Sequence, residues 1–258
     1  MAKFVMLFML VFVSNTVYSG VELSPTELES IGNKIYLNET GGNAKYLVAW
    51  NEGEQFASLG IGHFIWFPAN TQHRFTETFP DLIEFFKAKG VTIPAWLNES
   101  NDCPWTSKKA FEQAKSSEKM NDLYLLLQTT FQHQVEFIFQ RMKKSLPLMV
   151  LNTEDLAKQQ KLQYNFSQLS NSALGMYTLI DYVNFKGEGI ADSERYKGQG
   201  WGLKQVLLNI DSSEKSVHQA FTQSCITVLT NRVNNSPQKE IEQKWLAGWS
   251  KRCQTYSN

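Results

Sequence analysis

Residues 51–68 read NEGEQFASLGIGHFIWFP. Two acids (Glu52 and Glu54), a hydroxyl at Ser58 and a Gly-Ile-Gly-His run ending at His63 sit inside a short, otherwise apolar stretch. A tight turn needs one or two glycines for its unusual backbone angles. It does not need two carboxylates, a hydroxyl and an imidazole around them. Just upstream, KYLVAW (45–50) has the β-branched and aromatic character of a short strand, and QFASLGI (55–61) reads as a second. The polar NEGE between them makes a hairpin, and a hairpin carrying this much chemistry asks what it faces.

The chain before the hairpin reads as a helix. In SPTELESIGNKIYLNE (24–39), Ser24 suits the cap, Pro25 the first turn and Glu27 the reciprocal capping position. Leu28, Ile31 and Ile35 recur at helical spacing, and Gly41-Gly42 end the element. Beyond the hairpin the apolar positions keep helical intervals over 81–89, 107–115, 121–144, 152–170, 172–185, 216–233 and 238–252. One segment departs from this pattern: KGEGIADSERYKGQGWGLKQVL (186–207) holds five glycines among polar residues, the composition of a functional or mobile loop. The expected fold class is α+β and predominantly helical, with a small N-terminal β-hairpin lobe at about 40–68 and a helical lobe for the rest. Both lobes belong to one domain, residues 20–258.

The 258 residues suffice for a substantial core, and 42% are hydrophobic and 13% aromatic, so the chain is a folded globular protein. Lys+Arg and Asp+Glu balance at 25 each, with no basic block, which argues against gripping nucleic acid through its phosphates. Lys3, the apolar run FVMLFMLVFV (4–13) and the small residues before Gly20 read as a signal peptide over 1–19, too short to span a bilayer comfortably. The mature chain is then periplasmic or secreted, with no stable membrane insertion. An oxidising compartment permits one disulfide among Cys103, Cys225 and Cys253; the spacing fixes no pairing, and Cys225 also fits a core position. No CxxC or HExxH spacing occurs, so no metal site is expected.

Helix-terminal Glu39, hairpin acid Glu52, hydroxyl Ser58 and SLGIGH (58–63), in that order, resemble the phage-type lysozymes (endolysins) of the lysozyme-like superfamily over residues 28–64. Those proteins have an acid at the end of the first helix, then Asp, Thr and a Gly-x-Gly-His turn. Here Glu stands for the Asp and Ser for the Thr, and the link between Glu39 and Glu52 is longer than in that family, with Glu29 as the fallback for the first acid. The resemblance implies a lysozyme-like fold, no cofactor, and cleavage of a β-linked amino-sugar polymer such as peptidoglycan. It implies Glu39 as proton donor, Glu52 and Ser58 as holders of an attacking water, and inversion at the sugar.

Glycosidic cleavage needs the same parts on chemical grounds: one carboxyl group to protonate the leaving oxygen, and a second group on the other sugar face. Apolar neighbours at a helix end would suit Glu39 to the donor role. Strand alternation places Glu54 on the face away from Ser58's partner, and His63 reads as orienting the hairpin against Glu39. The glycine-rich segment competes, with Asp181, Asn184, Glu188, Glu194, Gln199 and Gln205 about its glycines. GWGLKQ is similar to a Gly-Leu-Met-Gln stretch of lytic transglycosylases and could form the opposite cleft wall, with Glu188 as an alternative acid. Trp50, Trp66, Trp105 and Trp201 could stack on sugars, whereas Trp245 and Trp249 read as core. A non-catalytic glycan- or envelope-binding protein is the alternative to a hydrolase.

Overall fold

The computed structural model describes residues 23–71, 75–211, 213 and 216–257; the expected leader lies outside them. Helix α1 spans Pro25–Thr40. The amide of Glu27 donates to Ser24 Oγ at 3.3 Å, and the amide of Ser24 to the Glu27 carboxylate at 2.9 Å, so two otherwise orphaned donors are satisfied. Gly41 ends the helix in the left-handed conformation. A 3-10 turn, Ala44–Leu47, then leads into a three-stranded antiparallel sheet: β1 (Val48–Ala49), β2 (Ala57–Leu59) and β3 (Phe64–Trp66). Ser58 pairs with Ala49 on one side and Ile65 on the other. The sequence reading gave two strands; the third lies in the apolar FIW that follows the turn.

The remaining architecture is helical: α2 (Phe79–Ala88), α3 (Lys108–Gln113), α4 (Glu118–Thr129), α5 (Phe131–Leu151), α6 (Leu156–Ser170), α7 (Ala173–Lys186), α8 (Leu203–Asn209), α9 (Val217–Asn235) and α10 (Lys239–Gln254). A two-stranded ribbon, β4 (Arg195–Tyr196) and β5 (Gln199–Gly200), lies inside the glycine-rich segment. The α+β expectation therefore holds at the level of a mainly helical chain with small antiparallel sheets. Helix α7 forms the axis of the helical part, since every residue from Gly175 to Val183 is buried. Trp66, Trp96, Trp105, Phe79 and Phe111 pack ring to ring beneath the hairpin.

The single helix expected over 121–144 is two helices. Thr130 stands between them and turns its hydroxyl back to the Leu126 carbonyl at 2.7 Å, a local bond that competes with helix continuation. The break sets the start of α5 so that Gln134, fully buried, donates to the Leu127 carbonyl and accepts the Ile61 amide at 2.9 Å. A side-chain amide from the helical part thus holds the hairpin turn. Farther along, α9 and α10 pack as an antiparallel pair stapled by a Cys225–Cys253 disulfide, while Cys103 is a buried thiol whose pKa burial pushes up to about 12. Trp249 packs against the core as expected, but Trp245 is 48% exposed. Among the described residues no helix is long and apolar enough to cross a membrane.

Candidate functional site

The Gly-x-Gly-His turn is built by close approach. Gly60 has φ of 68°, and a Cβ there would lie 2.4 Å from Gln134 Oε1. At Gly62 a Cβ would meet the Phe64 ring at 2.7 Å and Asn184 Oδ1 at 2.8 Å. Both glycines are therefore required by their neighbours, one from α5 and one from α7. His63 itself is held at φ of 47°, a left-handed position that costs a non-glycine residue about 1 kcal/mol or more. That strained backbone aims the imidazole at α1: Nδ1 lies 3.3 Å from Glu39 Oε2. His63 Nε2 is buried and has no partner among the described residues.

Glu39 is 10% exposed, and its surroundings are polar, not the apolar setting the sequence suggested. Oε1 accepts from Arg252 Nη2 at 2.7 Å and from Asn184 Nδ2 at 3.2 Å, which leaves Oε2 with His63 alone among the described residues. Arg252 comes from the end of α10 and also grips Asp181 of α7, Nε to Oδ2 at 2.8 Å and Nη2 to Oδ1 at 2.7 Å. Tyr256 donates to the same carboxylate at 2.6 Å and Asn38 at 3.3 Å. Asp181 is wholly buried. Burial opposes the charge on Arg252, but the carboxylates of Asp181 and Glu39 overcome it and hold the guanidinium well above its ordinary pKa. Three helices thus meet at one acid–cation–acid cluster.

Glu52, which counting without gaps set beside Ser58, lies apart from it. Glu52 lies at the tip of the β1–β2 link, its side chain 91% exposed, and Lys108 Nζ is 2.5 Å from its Oε2. That ammonium lowers its pKa, as expected for a solvated ion pair. The reason is local: β1 ends at Ala49, and the chain turns at once, with the Glu54 amide bonding to the Asn51 carbonyl at 3.4 Å. The turn breaks strand alternation and swings Glu54 inward. Ser58, 3% exposed, donates from Oγ to Glu54 Oε2 at 3.4 Å, and Asn51 donates from Nδ2 at 3.0 Å. Burial raises the pKa of Glu54 despite the opposing influence of Asn51, His63 and Ser58. Glu54, which the strand pattern had pointed away, is the carboxyl bonded by Ser58, and it lines a separate cavity with Trp50 and Lys108.

The glycine-rich segment does form the wall opposite the turn. A cavity of about 150 Å³ is lined by Gly62 and His63 on the hairpin side and by Gly187, Glu194 and Trp201 on the other. Glu188 is taken by Arg141 through two bonds, at 3.0 and 3.2 Å. Gln205 Nε2 donates to the Gly189 carbonyl at 3.0 Å and so fixes the loop. Gln199 is exposed and accepts from Asn235 Nδ2, away from the cavity. Trp50 and Trp201 are 5% and 3% exposed, so each lends at most an edge to a ligand. Trp50 bonds the Glu54 carbonyl through Nε1 at 2.8 Å, and the Arg232 guanidinium stacks 4.2 Å from the Trp201 ring centre.

Because Glu52 is solvated and pairs with Lys108, Glu52→Gln is expected to leave the urea unfolding midpoint unchanged. No protein-family model, curated protein or solved structure matches the chain.

Proposed function

We propose that the chain is an exported, lysozyme-like glycoside hydrolase of β-linked amino-sugar polymers such as peptidoglycan, with Glu39 and Glu54 as its carboxyl pair. The observation that carries this reading is His63. It stands 3.3 Å from Glu39 at one end of the turn, and at the other end Ser58 donates to Glu54 at 3.4 Å, which supports reading the two acids as partners of one turn.

Glu39 Oε2 supplies the proton to the glycosidic oxygen, while Oε1 stays fixed by Arg252 and Asn184. Glu54 and the Ser58 hydroxyl hold a water on the opposite sugar face. As the bond to the leaving oxygen breaks, the water attacks the anomeric carbon and gives its proton to Glu54, and the configuration inverts. A base whose pKa is raised toward the working pH removes that proton more effectively.

Release of reducing ends from purified cell walls by the wild type, with retention in Glu52→Gln and loss in Glu54→Gln, is the result this mechanism requires. Full activity in Glu54→Gln removes Glu54 from the reaction. The acid limb of the rate profile is expected above pH 4.5, the ordinary carboxyl value, because Glu54 must ionise to act as base. The same raised pKa has a sign for stability. Neutral Glu54 favours the folded state, so its contribution is full below pH 4.5 and is lost as pH climbs through the raised value. Glu54→Gln, always neutral, should therefore melt above wild type at neutral pH while losing turnover.

One observation favours a second reading: Oε1 of Glu39 is committed to Arg252, as a carboxyl whose work is to hold the helices together would be. Saccharide binding without new reducing ends would make the chain a glycan-binding protein.

A further inference from the structure

The cavity beside His63 carries more positive charge than the proposed reaction uses. Arg141, Lys186 and Arg232 line it against one acid, Glu194. Glu194 turns Oε2 to the amides of Gly189 and Ile190, at 2.6 and 3.0 Å, and so serves its own loop. Two of the three cations are also occupied: Glu188 binds Arg141 through both oxygens, and Glu242 binds Arg232 at 2.9 Å.

Lys186 has no such partner. Among the described residues no oxygen accepts from its ammonium, which lies 3.7 Å from the Trp249 ring centre and 3.9 Å from that of Phe185. Two aromatic faces attract a cation but offer it no lone pair. Partial burial, with Arg232 and Arg252 nearby, lowers the pKa of Lys186 and disfavours its charged form. An entering carboxylate supplies the missing anion, restores the ammonium and pairs with it.

We propose that Lys186 is the recognition cation for a carboxylate carried on the sugar itself, so that the cavity takes acidic amino sugars in preference to neutral ones of the same shape. The placement of a sugar here rests on the glycan reading above; the charge preference does not depend on whether the chain cleaves. The space, about 150 Å³, suits a short acidic substituent and part of one ring, not a peptide.

The test compares N-acetylmuramic acid with its methyl ester, which keeps the shape and removes the charge, by NMR titration of the wild-type protein and of Lys186→Met. Methionine is close to lysine in length, keeps its contact with the Trp249 and Phe185 rings and cannot be charged, so the variant should melt no lower than wild type. The wild type is expected to bind the acid about tenfold tighter than the ester, from one charge-assisted contact, and Lys186→Met to bind both alike. Equal binding by the wild type, or a preference that survives in Lys186→Met, overturns the inference. A preference with no cell-wall hydrolysis removes the hydrolase and keeps the acidic subsite; hydrolysis with no preference removes the subsite alone.

Discussion

Glu39→Gln is expected to reduce kcat/KM on cell-wall substrate by about 10²–10⁴-fold, the usual worth of a positioned proton donor. Glutamine keeps the length of the side chain and an oxygen for Arg252 and Asn184, but cannot give up a proton to the glycosidic oxygen. Stability should change little. Arg252 retains both bonds to Asp181, so the cluster loses part of one contact and no charge is stranded. Reducing-end release and thermal melting on the same preparations separate these outcomes. A variant that folds like wild type and keeps more than about a tenth of its rate excludes Glu39 as the donor.

The second large effect is structural. Arg252→Met is expected to lower the unfolding free energy by about 3–5 kcal/mol, because it leaves Asp181 buried without its cation. Tyr256 and Asn38 still donate to that carboxylate, but neither carries charge. A urea titration of both proteins measures the loss. Replacing Asp181 by leucine in the same chain should recover much of the loss, since a buried pair removed together leaves no orphan charge.

What was legible in the sequence divides by range. Helix α1 could be read from its cap, because the Ser24–Glu27 exchange is written in adjacent residues. The turn at Gly60–His63 was legible for the same reason, and so was the partnership of His63 with the end of α1. Glu52 misled because gap-free counting assumes strands longer than the two residues of β1, and only the tight turn at Asn51 shows that Glu54 faces Ser58. The break at Thr130 was hidden because threonine and its apolar neighbours fit helical periodicity; only the tertiary bond from Gln134 to Ile61 makes a fresh helix start useful. Arg252 was invisible. A cation in the last turn of an amphipathic helix reads as solvated, and nothing local marks it as the partner of a carboxylate far away in the chain. The Cys225–Cys253 bridge was equally undetermined, since three thiols allow three pairings.

The contact between Arg252 and Glu39 closes over 213 positions of chain. Connections of that span form late, after most loop entropy has been lost, and during synthesis none of it can exist until residue 252 has left the ribosome. An emerging polypeptide therefore carries a carboxyl at position 39 without this cation until position 252 has emerged. The grip on Glu39 is among the late contacts of assembly, made only once position 252 can fold back onto the first helix.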